Sequence, residues 1–79
     1  MMTYSTFSYK LRVLLISCGA INMEGVDDFI QYSYRRYINP HNKDFDADKR
    51  NSHMFQKIIL RIALRKKYNE YTLLITRTN

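Results

Sequence analysis

The sequence predicts a small single domain of the α+β class, spanning residues 1–79, in the order strand, helix, helix, strand, with a long helix in the second half. Three observations support this class. Apolar residues alternate near the N-terminus, two later stretches have helical spacing, and β-forming residues cluster near the C-terminus. An all-α domain of three helices is the alternative. A chain of 79 residues has the length of one domain, whose core is thin at this size.

The first strand is predicted over residues 6–16. Polar and apolar residues alternate strictly through Val13, as expected where one face of a strand is buried. The next three residues are all apolar, as in a strand that enters the core, and Gly19 would end it. The same segment also fits a helix from Ser8 to Cys18 capped by Gly19, and this rival interpretation stays open.

The first helix is predicted from Asn22 to Ile38. Asn22 is a suitable N-cap, and the acidic residues that follow suit the positive end of the helix dipole. Pro40 disfavours helical geometry at the residue before it, so the helix should stop near Ile38. Residues 39–46 are dense in turn formers and are predicted to be a loop.

The second helix is predicted to run without interruption over residues 47–68, which contain neither Gly nor Pro. Its length would be roughly 30 Å. One apolar stripe at helical spacing consists of Phe55, Ile58, Ile59 and Ile62. Leu60 and Leu64 fall on nearly the opposite side. A helix with two apolar faces is expected to pack against two surfaces, here its own sheet and a second subunit or partner.

The second strand is predicted from Glu70 to Arg77. Residues 71–76 are rich in β-forming types. A lone strand leaves its backbone groups unpaired, so this interpretation requires the N-terminal strand as its mate.

The charge of the chain points to an anionic partner. The formal net charge is +6, which favours nucleic acid, an acidic protein surface or an anionic membrane surface. The stretch between Asp48 and Glu70 contains no acid, and on a helical wheel Arg50, Lys57, Arg61 and Arg65 form a cationic stripe. The predicted binding residues of this stretch are these four cations together with Lys66, Lys67 and the leucines of the second apolar face, Leu60 and Leu64. A solvated face that keeps the protein soluble is the competing explanation.

A second basic cluster lies at the end of the first predicted helix. Tyr32, Arg35 and Arg36 belong to a run that interleaves aromatic and cationic residues. Such a mixture can stack on bases or anchor a protein interface. Structural packing is favoured for the cluster as a whole, while these three side chains can face outward and are included among the candidate binding residues.

No pattern of catalytic or metal-binding residues emerges. The acids of residues 44–48 resemble the start of a calcium loop, but Lys49 stands where Gly is needed and Phe55 where Glu is needed. His41 and His53 lack the paired spacing of a structural zinc site. No cofactor or metal is therefore expected, and the protein is not expected to be an enzyme.

The single cysteine, Cys18, allows no intramolecular disulfide, so a reducing compartment, the cytoplasm, is expected. No stretch approaches the roughly 20 apolar residues of a membrane span, and no membrane partner is expected. The abundance of Lys, Asn, Ile and Tyr suggests an AT-rich source such as a phage, a virus or a low-GC bacterium.

These observations predict a small non-enzymatic binding protein, an inhibitor, adaptor or subunit that docks on a larger protein or nucleoprotein. Direct binding of DNA or RNA through the basic helix 49–67 is the alternative. A homodimer is a further expectation for the second apolar face. A small nuclease or toxin has the least support.

Overall fold

The computed structural model describes residues 2–38 and 52–76, and every regular element in these two segments is helical. The helices are α1 (Tyr4–Ser17), α2 (Val26–Ser33) with a π-helical continuation (Tyr34–Ile38), α3 (Ser52–Leu64) and α4 (Tyr68–Thr76). The predicted α+β class was therefore wrong. The all-α alternative agrees with the described segments, although they contain four α-helices where that alternative had three.

The N-terminal segment forms helix α1 because its buried positions recur every three or four residues. Phe7, Leu11 and Leu15 are all fully buried on one side of the helix. Two of the apolar residues in the alternating pattern, Tyr9 and Val13, are exposed instead. The strand prediction failed because it assigned these two side chains to the buried face.

Helix α1 ends in a Schellman motif at Gly19. The amide of Ala20 donates to the Leu15 carbonyl oxygen at 2.8 Å, and the Gly19 amide donates to that of Ile16 at 3.0 Å. Gly19 has a φ of 68°, which an L side chain rarely adopts. The rival interpretation, a helix capped by Gly19, is thus the structure that forms, and it begins earlier than predicted, at Tyr4.

Helix α2 begins at Val26, later than the predicted start at Asn22. Residues 20–25 form turns, and Gly25, with a φ of 84°, occupies the N-cap without a side-chain cap. Asp27 and Asp28 lie in the first turn, as expected from the helix dipole. The chain stays helical to Ile38 but widens into π-helical geometry from Tyr34. The predicted loop at 39–46 lies outside the described residues.

The predicted continuous helix over residues 47–68 was wrong, because α3 ends at Leu64. Lys66 takes a left-handed conformation with a φ of 60°. The amide of Lys67 donates to the Ile62 carbonyl oxygen at 2.9 Å, and that of Lys66 donates to the Ala63 carbonyl oxygen at 2.9 Å. These bonds form a second Schellman motif, with lysine in the position that glycine usually takes.

Burial of α4 explains the turn. In an uninterrupted helix Tyr71 would lie about 180° around the axis from Ile62, because each residue advances about 100°. Both side chains are buried in the structure, and the turn at Lys66 allows this by reversing the chain. The segment predicted as the second strand is therefore helix α4, which buries Tyr71 and Ile75 one turn apart.

The core lies where the four helices meet. Phe29 packs against the rings of Phe55 and Tyr71, with ring centroids 5.8 Å and 5.7 Å away. Ser33 and Tyr71 share a buried hydrogen bond of 3.0 Å between their hydroxyl oxygens, which joins α2 to α4. This packing fixes which side of α3 faces inward.

Candidate functional site

The outward side of α3 carries two large apolar side chains. Leu60 is 58% exposed and Leu64 is 69% exposed, and they lie one turn apart on the same side of the helix. His53 and Lys57 continue this row toward the N-terminus and are also exposed. We call these four residues the α3 outer face.

The inward side of α3 is a separate surface. It buries Phe55, Ile58 and Ile62 in the core. Because the core already buries this side of α3, the leucines of the α3 outer face are not needed to complete the core. Contiguous exposed apolar residues rimmed by polar ones are typical of interaction sites.

Cations border the two leucines. Lys57 precedes them on the helix, and Arg65 and Lys66 follow them in the turn, where both are exposed. Within the described part of the chain none of these three cations forms an ion pair. The sequence of α3 itself contains no Asp or Glu. The α3 outer face is therefore apolar at its centre and positive around it.

Two cations of the predicted basic stretch, Arg61 on the stripe and Lys67 beyond it, have partners within the molecule. The Arg61 guanidinium Nη1 donates to the Gly19 carbonyl oxygen at 3.4 Å, a long hydrogen bond. Lys67 Nζ lies 3.2 Å from Glu70 Oε1. The stripe is thus shorter than predicted and does not continue as a straight ridge past Leu64. Arg50 lies outside the described residues.

The predicted cluster on α2 does not join this surface. Tyr32 stacks on Phe55 with a centroid distance of 5.0 Å, which places it against the inward side of α3. Arg35 Nη2 donates to Gln31 Oε1 at 3.2 Å. The Arg36 guanidinium lies 5.8 Å from the centre of the Tyr37 ring. Tyr32 therefore takes part in packing, and Arg36 remains exposed.

The sequence did not reveal a groove between α1 and α4. Its volume is about 380 Å³, and its apolar lining includes Val13, Leu14, Leu73 and Leu74. Val13 is 49% exposed and Leu73 is 57% exposed. A helical wheel over residues 68–76 places Leu73 opposite the two buried residues of α4, so the correct period would have revealed this wall. We call this site the α1–α4 groove.

Reactive groups are few in the described residues. The thiol of Cys18 is buried, and the described segments contain no group of three or more His, Cys, Asp or Glu side chains placed to hold a metal ion. Burial raises the pKa of Tyr71 well above its ordinary value of 10.0, and the hydrogen bond from Ser33 opposes this shift only in part. Tyr71 is therefore a neutral core residue at ordinary pH.

Within residues 2–38 and 52–76, no helix has both the length and the apolar character needed to span a bilayer. Comparisons of the chain with protein-family models, with curated proteins and with solved structures found no match. The proposals that follow therefore rest on the geometry and charge of the described surfaces.

Proposed function

We propose that the protein is a small non-enzymatic binding module that docks through the α3 outer face on a larger protein or nucleoprotein. The single observation that carries this proposal is the exposure of Leu60 and Leu64 side by side on a helix whose other side is already buried. Helices that recognise partners insert an apolar row of this kind into a groove of the partner.

The charge around the leucines indicates the character of the partner. Lys57, Arg65 and Lys66 border the apolar pair and form no ion pair among the described residues. An acidic rim on the partner would complement them, steer the encounter and reject competitors of the wrong charge. Two copies meeting through this face would oppose cation to cation, so a different protein fits better than a homodimer.

The apolar pair also favours a protein over nucleic acid. A phosphate-tracking surface gains its affinity from cations alone, and two half-exposed leucines at its centre would remain poorly covered. The predicted ridge is also interrupted, because α3 ends at Leu64 and the chain turns at Lys66. Direct binding to DNA or RNA is therefore the second candidate, carried by the unpaired cations.

Affinity capture with matched variants tests the proposal. The full chain is immobilised and exposed to extract of its native host, with and without nuclease. The double variant Leu60→Ser/Leu64→Ser is compared with Leu73→Ser, which removes an equally exposed leucine from another surface. We expect a captured protein that survives nuclease, is lost with the double variant and is retained with Leu73→Ser. The captured protein is then purified, and its affinity is measured for the wild-type chain, for the double variant and for Leu73→Ser.

Binding to nucleic acid would be the contrary outcome, and a titration tests it. Labelled duplex DNA and single-stranded RNA are titrated at about 50 mM and about 200 mM salt, across which phosphate-based affinity falls steeply. Tight binding that Lys57→Glu/Arg65→Glu abolishes and Leu60→Ser/Leu64→Ser leaves intact would replace the proposal with the nucleic-acid function. Capture of the same protein by all variants would remove the α3 outer face as the site.

We also propose that this binding takes place in a reducing compartment such as the cytoplasm. The support is the buried, unpaired thiol of Cys18, the only cysteine of the chain. Free cysteines persist in compartments where thiols are kept reduced.

A further inference from the structure

Beyond the function proposed above, we infer that the α1–α4 groove receives an acidic amphipathic helix from a second protein. The groove is a separate surface, lined by α1 and α4 together with Met2 and Lys67 just before each helix, and by no residue of α3. Where the α3 outer face is convex, this surface is concave. The chain would therefore hold two partners in two different ways.

The α1 side of the groove has the length of about two helical turns. Lys10 and Ser17 line its α1 side and are seven residues apart, so they are separated by about 10 Å along the helix. Two turns of a docked helix cover the same distance and present three anchors at spacings of three or four residues. Between these two polar positions the lining is apolar, formed by Val13, Leu73 and their neighbours.

The openness of the groove favours a helix over a small molecule. Sites for small ligands bury roughly 70–90% or more of the surface of the ligand. Here the side chains of both walls, Val13 and Leu73, are about half exposed. A fatty chain in this groove would also lie against Ser17 and the Lys67–Glu70 ion pair, which belong to the lining. A helix with an apolar stripe and polar flanks matches this mixed lining.

The charges that line the groove determine which charge the docked helix should carry. Lys10 has no hydrogen-bonding or ion-pair partner among the described residues, whereas Lys67 is paired with Glu70. The positive charge of Lys10 is thus left without a counter-charge in the described lining of the groove. An acidic residue near one end of the docked helix would pair with Lys10 and fix the direction in which the helix lies.

The same charges disfavour a second copy as the occupant. The convex face that this chain itself offers is the α3 outer face, which carries Lys57 and is followed by Arg65. Placing it in the groove would bring these cations toward Lys10. Self-insertion of this kind would also be head-to-tail, the geometry that produces open filaments. An acidic helix from another protein can bind in the groove without this repulsion.

Selection from a displayed library of helical peptides of about 18 residues tests the inference, because this length supports a helix in water. Selection on the full wild-type chain should enrich peptides with three apolar positions at helical spacing and an acid toward one end. Leu73→Asp should abolish their binding. Leu60→Ser/Leu64→Ser should leave it unchanged, so failure here is distinguishable from failure of the proposed function.

Charge reversal provides the sharpest readout. Lys10→Glu should weaken the selected acidic peptides by about tenfold or more, since like charges in an interface repel. Selection on Lys10→Glu should enrich a basic residue at the corresponding peptide position. Both substituted residues are exposed, and thermal unfolding of each variant by circular dichroism verifies that it folds.

Three outcomes would overturn the inference. One is a selection that yields no acidic helical family, or peptides that bind Leu73→Asp as well as the wild type. Another is a concentration-dependent dimer in sedimentation experiments that Leu73→Asp abolishes, which would make a second copy the occupant. The third is binding of sodium decanoate at the groove without peptide enrichment, which would indicate a fatty carboxylate.

Discussion

Lys66 takes the left-handed position in the turn that follows α3. It adopts a φ of 60°, a region in which a residue with a side chain loses about 1–2 kcal/mol relative to right-handed geometry. Helix stops are read from Gly, Asn or Pro, and none of these stands between Leu60 and Tyr68. The break was therefore invisible in the sequence, while the stop at Gly19 was visible and was correctly included in the rival interpretation of the N-terminal segment.

Replacing Lys66 by glycine should stabilise the fold. Lys66→Gly relieves the left-handed conformation at some cost in chain entropy, for a net gain of about 0.5–1 kcal/mol in the free energy of unfolding. For a domain of this size, that gain raises Tm by roughly 3–6 °C. Calorimetry or urea unfolding measures it. Lys66→Ala removes the same charge but keeps the strain, so an equal gain in that variant would contradict the explanation.

Tyr71 and Ser33 form a buried polar pair whose contribution depends on pH. Because burial raises the pKa of Tyr71, the folded state holds its proton more tightly than the unfolded state, where the value is 10.0. This contribution is complete below about pH 10 and declines as pH rises above it, because the unfolded chain then releases its proton first.

Tyr71→Phe tests this linkage. At neutral pH the variant should lose about 1–2 kcal/mol of stability, since the buried Ser33 hydroxyl loses its partner. Between about pH 9 and pH 11 its unfolding free energy should fall less steeply than that of the wild type, by up to about 1.4 kcal/mol per pH unit. Tyr68→Phe, at an exposed tyrosine, is the control. Identical slopes for wild type and Tyr71→Phe would contradict the assignment.

At the scale of elements, the sequence predicted α2 and α3 as helices, while α1 and α4 were predicted as strands. Val26, Phe29 and Ile30 recur at helical spacing, and all three are buried in α2. Residues 71–76 are rich in Thr, Leu and Ile, which short strands also prefer. Single-sequence periodicity cannot separate the two structures at this length. Burial of Tyr71 and Ile75 on one side decides for the helix.

The two sides of α3 should respond differently to substitution. Ile58 is fully buried, so Ile58→Ala leaves a cavity and should cost about 2–4 kcal/mol of stability. Leu60 and Leu64 lie on the other side, and Leu60→Ser or Leu64→Ser should change stability by no more than about 0.5 kcal/mol each. Urea unfolding measures both. A loss near 2 kcal/mol for either serine variant would show that this leucine stabilises the fold.

For the whole molecule, the two proposed docking surfaces share a positive sign but differ in shape. Among the described residues, the α3 outer face is convex with cations around it that form no ion pair, and the α1–α4 groove is concave with Lys10 unpaired. The net charge of +6 opposes contact between copies and favours acidic partners. The outward placement of Leu60 and Leu64 followed from the helical spacing of α3 alone. The groove required α1 and α4 as helices and the turn at Lys66.

Site-specific photocrosslinking tests the central claim, that the α3 outer face is the surface that meets the partner. A photoreactive phenylalanine analogue replaces Leu60 in one variant and Leu73 in another, and each is irradiated in host extract. We predict a nuclease-resistant protein adduct at position 60 that the position 73 variant does not share. A nucleotide adduct at position 60, or the same protein adduct from position 73 alone, would contradict it.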